Sequence, residues 1–75
     1  MSNWIKCSER LPEVIGEFNM SHSILLYGQE DVFEPFCIFI GYMIEGNRFY
    51  SDNGECENIT HWQPLPEPPR GKQQR

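Results

Sequence analysis

The chain has 75 residues, of which 39% are hydrophobic and 13% aromatic, enough apolar surface for one small domain but too little length for a second core. Three of its six basic residues lie in the last six positions, so the rest holds three basic against eleven acidic residues, a formal charge of −8 that disfavours direct nucleic-acid binding. No stretch approaches the roughly 18 apolar residues of a membrane span. The first residues also lack the basic region followed by an apolar region that is typical of a signal peptide. We therefore expect a cytoplasmic protein without membrane contact.

The first half of the chain predicts two short strands separated by an irregular segment. Residues 4–7 suit a strand, and Pro12 breaks the element after it because proline lacks an amide donor and disfavours helix at the preceding residue. Residues 13–21 are compatible with a single helical turn or with an irregular loop. The continuous apolar run at residues 24–27 predicts a strand buried on both faces or lying centrally in a small sheet. The acidic stretch 29–35 predicts an exposed loop.

A hairpin is the strongest β signal in the sequence. Residues 36–44 are rich in Phe, Ile and Tyr, and residues 48–50 resume the aromatic pattern after the turn-prone run Glu-Gly-Asn. Because a hairpin turn fixes which residues face each other, we expect Tyr42 and Phe49 to form a cross-strand aromatic pair.

The end of the chain predicts a last strand followed by a proline-rich exit from the sheet. Residues 59–62 form a compact strand pattern, and four prolines between 64 and 69 end the fold. We therefore expect a single mainly β domain over residues 1–69, an antiparallel meander or small open barrel of four to five strands with room for one short helical turn, and a flexible basic tail at 70–75.

The chain carries a distinctive motif at each end. The opening motif reads W-I-K-C-S-E-R-L-P from Trp4 to Pro12, and the closing motif reads T-H-W-Q-P-L-P-E-P-P from Thr60 to Pro69, with Gly41-Tyr42 between them. These motifs resemble those of DUF551, a phage and prophage family of small proteins of unknown function. The resemblance covers nearly the whole chain. It implies a phage-encoded or prophage-encoded accessory protein in a bacterial cytoplasm, and it carries no catalytic residue over to this sequence.

The residues that usually carry chemistry occur here without the spacing that chemistry requires. Zinc-type ligands are present, but structural zinc sites draw paired ligands a few residues apart, and here only Cys56 and His61 lie close together; the set is Cys7, Cys37, Cys56, His22 and His61. An odd number of cysteines fits free thiols in a reducing compartment, and we expect Cys37, in its apolar strand, to be buried. No phosphate-binding glycine loop occurs. The sequence thus predicts no catalytic residue, metal or cofactor.

The features left for function are an acidic exterior and the aromatic and proline residues of the closing motif. We expect a small non-catalytic protein that binds a bacterial host protein, with candidate contact residues in two groups, Glu30, Asp31 and Glu34 in the acidic loop, and Trp62, Pro64 and Pro66 near the C-terminus. One alternative is a structural homo-oligomer, such as a homodimer paired through an uncovered strand edge. The other is a small metal-dependent enzyme, which a chain of this length hardly accommodates unless subunits share a pocket.

Overall fold

The fold is all-β, in a computed structural model that describes residues 3–66. Its strands, in chain order, are β1 Ile5–Lys6, β2 Ile24–Gln29, β3 Cys37–Ile44, β4 Arg48–Ser51, β5 Gly54–Glu55 and β6 Asn58–Pro64. All neighbouring strands are antiparallel and join into one open sheet. The expected mainly β class is confirmed. The sheet has six strands instead of four to five, and two of them, β1 and β5, have only two residues each.

The order of strands across the sheet is β1-β6-β2-β3-β4-β5. Strands β2 to β5 form a meander in which each strand pairs with the next one along the chain. Strand β6 returns across the sheet and lies between β1 and β2, so the two ends of the chain are paired with each other. The sheet is therefore a meander closed at one side by its own C-terminal strand.

Strand β2 continues beyond its apolar run, through Gly28 to Gln29. The register against β6 shifts between Tyr27 and Gly28, a β-bulge. A side chain at Gly28 would collide with the carbonyl of Asn58 and the Cα of Ile59, which leaves room for glycine only. Gly28 thus permits close approach of β6 and does not end the strand.

The segment between β1 and β2 is an irregular loop, and the part of the chain that the structure describes contains no helix. An isolated bridge joins Ile15 to Met20, and Met20 also bridges to Ile44 in β3. Gly16 and Asn19 turn the chain with positive φ angles of 77° and 51°. Of the two readings that the sequence left open at residues 13–21, the loop is the one observed.

The core lies on one face of the sheet, under the β1–β2 segment. Its buried hydrophobic residues are Ile24, Leu26, Met43, Phe49, Cys56 and Trp62. The segment contributes partly buried Cys7, Leu11 and Val14 to this core. It is also tied down by buried Ser21, whose hydroxyl accepts a hydrogen bond from the Met43 amide at 2.9 Å and donates one to the His22 carbonyl at 2.8 Å.

The two tryptophans lie on opposite faces of the sheet. Trp62 pairs with Ile5 and is 5% exposed in the core, where its indole N–H donates to the Arg10 carbonyl at 2.8 Å and the Arg10 guanidinium lies 5.6 Å from the ring centroid. Trp4 packs instead near Tyr27, at 6.3 Å between ring centroids. Because β1 directs Ile5 inward, Trp4 lies on the other face and does not join Trp62 in the core.

Of the two readings that the sequence left open for residues 24–27, the central position is the one observed, because β2 lies between β6 and β3 and is not buried on both faces. Leu25 and Tyr27 point to the face opposite the core, paired in register with Ile40 and Ile38, which are 57% and 59% exposed. Cys37, at the start of β3, is exposed as well. An apolar run in a small sheet therefore does not guarantee a covering layer on each side.

The β3–β4 hairpin forms where it was expected, with a different register. Gly46 and Asn47 both adopt positive φ, 91° and 64°, as tight hairpin turns require. The paired residues are Tyr42 with Tyr50 and Met43 with Phe49, so the expected Tyr42–Phe49 pair does not form. Because a shift of one residue reverses the face, Phe49 is in the core and Tyr42 stacks on Tyr50 at 6.0 Å.

Two predicted features lie partly or wholly outside the described residues. The basic tail at 70–75 lies entirely beyond them, and the proline run is described only as far as Pro66. The domain boundary at residue 69 stays a prediction.

Replacing Leu26 by Ala tests the one-sided core. Leu26 is fully buried between Phe39 of β3 and Trp62 of β6, so its truncation leaves a cavity and lowers the free energy of unfolding by about 2–5 kcal/mol. Val32→Ala, at a loop position that is 55% exposed, changes the free energy of unfolding by less than about 0.5 kcal/mol. Urea unfolding followed by tryptophan fluorescence measures both, and equal effects would contradict the assigned core.

Candidate functional site

The loop between β2 and β3, residues 30–35, is held in one shape by its own hydrogen bonds. We call it the acidic loop. The Asp31 carboxylate accepts from the Phe33 amide at 2.9 Å, and the Asp31 carbonyl accepts from the Glu34 amide at 2.9 Å. The Gln29 side-chain amide donates to the Glu34 carbonyl at 2.8 Å. These bonds define a turn that carries exposed Val32 and Phe33.

Glu30 fastens the acidic loop to the turn between β4 and β5. Its carboxylate accepts from the Ser51 hydroxyl at 2.6 Å and from the Asn53 side-chain amide at 3.3 Å. The Ser51 hydroxyl also accepts from the Asn53 backbone amide at 3.2 Å, which fixes the turn itself. Glu30 is therefore committed to structure, whereas no described hydrogen bond or ion pair involves the Glu34 carboxylate.

The acidic loop and the β4–β5 turn together form a polar cleft of about 370 Å³, lined by Glu30, Asp31, Glu34, Asn53 and Glu55. Arg48 pairs with Glu55 at 3.1 Å, and this hydrogen bond lowers the pKa of the Glu55 carboxyl below its ordinary value. The Arg48–Glu55 ion pair is thus fully formed at neutral pH, and any stability that it gives is lost as the pH falls through the lowered pKa of Glu55. Sequence reasoning found three of these residues and missed Asn53 and Glu55, which lie more than 18 positions further on.

Two apolar side chains stand at the tip of the acidic loop. Phe33 is 92% exposed and Val32 is 55% exposed. A phenyl ring in water next to several carboxylates is costly for the isolated protein and useful to a binding surface, since aromatic anchors carry much of the energy of protein interfaces. The sequence signal for it was present, because Val-Phe interrupts an otherwise polar run.

The second predicted group of contact residues lies at the other end of β2. Pro64 pairs with Ile24, five residues from Gln29, so the closing motif and the acidic loop are separated by the length of that strand. Exposed Pro64 and Pro66 line a groove of about 700 Å³ together with Leu65, Pro12 and His22, and buried Trp62 reaches it from below. The six predicted residues therefore belong to two surfaces.

The residues considered as zinc ligands are not assembled into a site in the described part of the chain. Among residues 3–66, no three of the His, Cys, Asp and Glu side chains lie together as metal ligands. Burial raises the pKa of the Cys7 thiol and, against a weaker opposing hydrogen bond from Ser51, that of the Cys56 thiol. Less thiolate is then present at neutral pH, the reverse of what a cysteine nucleophile needs.

No helix that is long and apolar enough to cross a membrane occurs in the described part of the chain.

Comparison with known proteins identifies one family. The sequence profile of a family described as "Protein of unknown function (DUF551)" matches residues 3–70. Neither the curated proteins nor the solved structures contain a significant match to this chain.

The three cysteines should react with a thiol reagent in an order set by their exposure. We expect iodoacetamide at neutral pH to label exposed Cys37 first, and to label half-buried Cys7 and buried Cys56 more slowly because burial also raises the pKa of both thiols. Peptide mass spectrometry over a time course gives the three rates. Labelling of Cys56 as fast as Cys37 would contradict the core assignment, and labelling of all three in urea is the control.

Proposed function

The chain belongs to the DUF551 family of proteins of unknown function, and we propose that it is a small non-catalytic accessory protein of a phage or prophage that binds a bacterial host protein in the cytoplasm. The observation that carries the proposal is the fully exposed Phe33, held by a hydrogen-bonded loop at the rim of an acidic cleft.

The geometry of the acidic loop has the two parts that a protein interface requires. Phe33 offers an apolar anchor, and the carboxylates of Asp31, Glu34 and Glu55 line the cleft that its loop helps to form. Because the loop is already fixed by Asp31 and Gln29, little conformational freedom is lost when a partner docks on it.

The chemistry of this surface selects the chemistry of the partner. Carboxylates around an aromatic ring favour a basic surface with an apolar pocket, and they steer the encounter over long range. A host factor that binds nucleic acid presents such a basic groove, and an acidic protein that occupies it would act by mimicking the charge of nucleic acid. Direct binding of nucleic acid by this chain is disfavoured by the same charges.

The acidic loop is tested by capture of a partner on immobilised protein, with two pairs of variants. We expect Phe33→Ala to weaken retention of a partner from bacterial lysate by about tenfold or more, whereas Phe18→Ala, at another exposed phenylalanine, leaves it unchanged. Glu34→Lys should weaken retention as well, and Glu17→Lys should not. Glu34 is preferred to Glu30 and Asp31 because those two carboxylates also hold the loop together.

Raising the salt concentration provides the second readout. A partner held through the charged rim elutes as salt screens the attraction. Quantitative mass spectrometry of the eluates compares the variants. Retention that is insensitive to both Phe33→Ala and salt, or no protein above background, would refute the proposal.

A further inference from the structure

The sheet face opposite the core is apolar, and no described segment covers it. We call it the open face. Its central residues come from β2 and β3, and Trp4 and Phe36 extend it; the set is Trp4, Leu25, Tyr27, Phe36, Ile38, Ile40 and Tyr42. Phe36, Ile38 and Ile40 are each about half exposed, at 46%, 59% and 57%. Contiguous apolar surface of this kind is rare on a monomeric soluble protein and marks an interaction site.

The open face carries both a hollow and protruding side chains. Trp4, Tyr27, Ile38 and His61 line a hollow of about 320 Å³, wide enough for an aliphatic side chain. Ile40 stands two residues along β3 from Ile38, on the same face. A twofold-symmetric interface uses one patch on both subunits, so the patch must contain shapes that complement each other. The open face meets that condition.

The charges around the open face favour a second copy of the chain over a basic partner as its occupant. Residues 3–66 hold three basic and ten acidic residues, a formal charge of −7, so two copies repel each other over most of their surface. The outward positions of β2, β3 and β6 hold no acidic residue, and the charged side chains that the pairing places on this side are Lys6, Arg48 and Glu55. Two copies can meet here without opposing carboxylates, and a basic partner finds few carboxylates to bind.

The edges of the sheet allow a second route to an oligomer. Strands β1 and β5 have two residues each, but β4 pairs with β3 only at Tyr42–Ile44, so residues 37–41 of β3 have no strand partner on that side among the described residues. Pairing through that edge would leave the apolar open face in water, whereas packing of two open faces buries it.

We propose that the open face packs against the open face of a second copy, giving a homodimer in which two sheets form a β-sandwich. Aligned sheets pack about 10 Å apart with interdigitated side chains, and here Ile40 of one copy fills the hollow of the other. This interface is separate from the acidic loop, and either proposal can fail without the other.

Sedimentation equilibrium of the full chain over micromolar to submillimolar concentration tests the dimer. We expect the wild-type protein to dimerise and Ile40→Asp to raise the dissociation constant by on the order of tenfold or more, because a carboxylate would be buried on both sides of the interface. Ile15→Asp, at an exposed isoleucine outside the open face, is the matched control. A wild-type monomer throughout, or equal effects of the two variants, would overturn the proposal.

A direct contact measurement guards against a variant that merely unfolds. In a mixture of isotope-labelled and unlabelled wild-type protein, we expect intermolecular NOEs between the Ile40 methyl groups and the Tyr27 or Trp4 ring. Intramolecular NOEs from residues 67–75 to the open face in a monomer would overturn the proposal, since the chain's own C-terminal segment would then cover it. Phe33→Ala should leave the dissociation constant of the dimer unchanged.

Discussion

The pairing of β1 with β6 is the constraint on which the rest of this structure depends. It joins Ile5 to Trp62 and brings the Trp62 indole N–H to the Arg10 carbonyl, 52 residues away in sequence. Trp62 then lies beside Leu26 in the next strand, where the core is most completely buried. The described parts of the two end motifs thus contact each other, because the opening segment supplies the carbonyl and the apolar neighbour that allow Trp62 to be buried. The adjacent pairing of β6 with β2 is a second contact between distant segments, and such contacts offset the entropy of closing the sheet.

A sheet with only one covered face follows from the short length of the chain. The single long connection, between β1 and β2, provides the covering layer through Leu11 and Val14, and it lies on the side of Trp62. The meander from β2 to β5 is joined by short turns that add no second layer in the described residues. The side chains of β2 and β3 that point away from the core therefore stay in water although they are apolar. In small domains association commonly supplies the missing layer.

The described part of the molecule has two exposed apolar surfaces that differ in the charge around them. Acidic side chains gather on the loop after β2, where hydrogen bonds to Ser51 and Asn53 hold Glu30 in place. The outward face of the central strands carries no carboxylate. A charged rim around Phe33 suits an encounter that is steered and salt-dependent, whereas a neutral apolar sheet face suits a closely packed and more permanent contact. The two surfaces thus differ in the kind of partner that they can hold.

The sequence by itself determined the β class, the position of the hairpin, the family and the acidic loop, because apolar β-branched runs, turn residues and charged stretches are local signals. It did not determine the strand order, since the return of β6 to a place between β1 and β2 depends on contacts between distant residues. Contacts between distant residues also decide which face of the sheet each side chain occupies. The observed register differs by one residue from the expected one, so Phe49 is in the core and Tyr42 is on the opposite face. The cleft that Asn53 and Glu55 line together with Glu30 likewise depends on the pairing of segments that are distant in sequence. Local chemistry fixes which segments become strands, and only the assembled sheet fixes which side chains meet water.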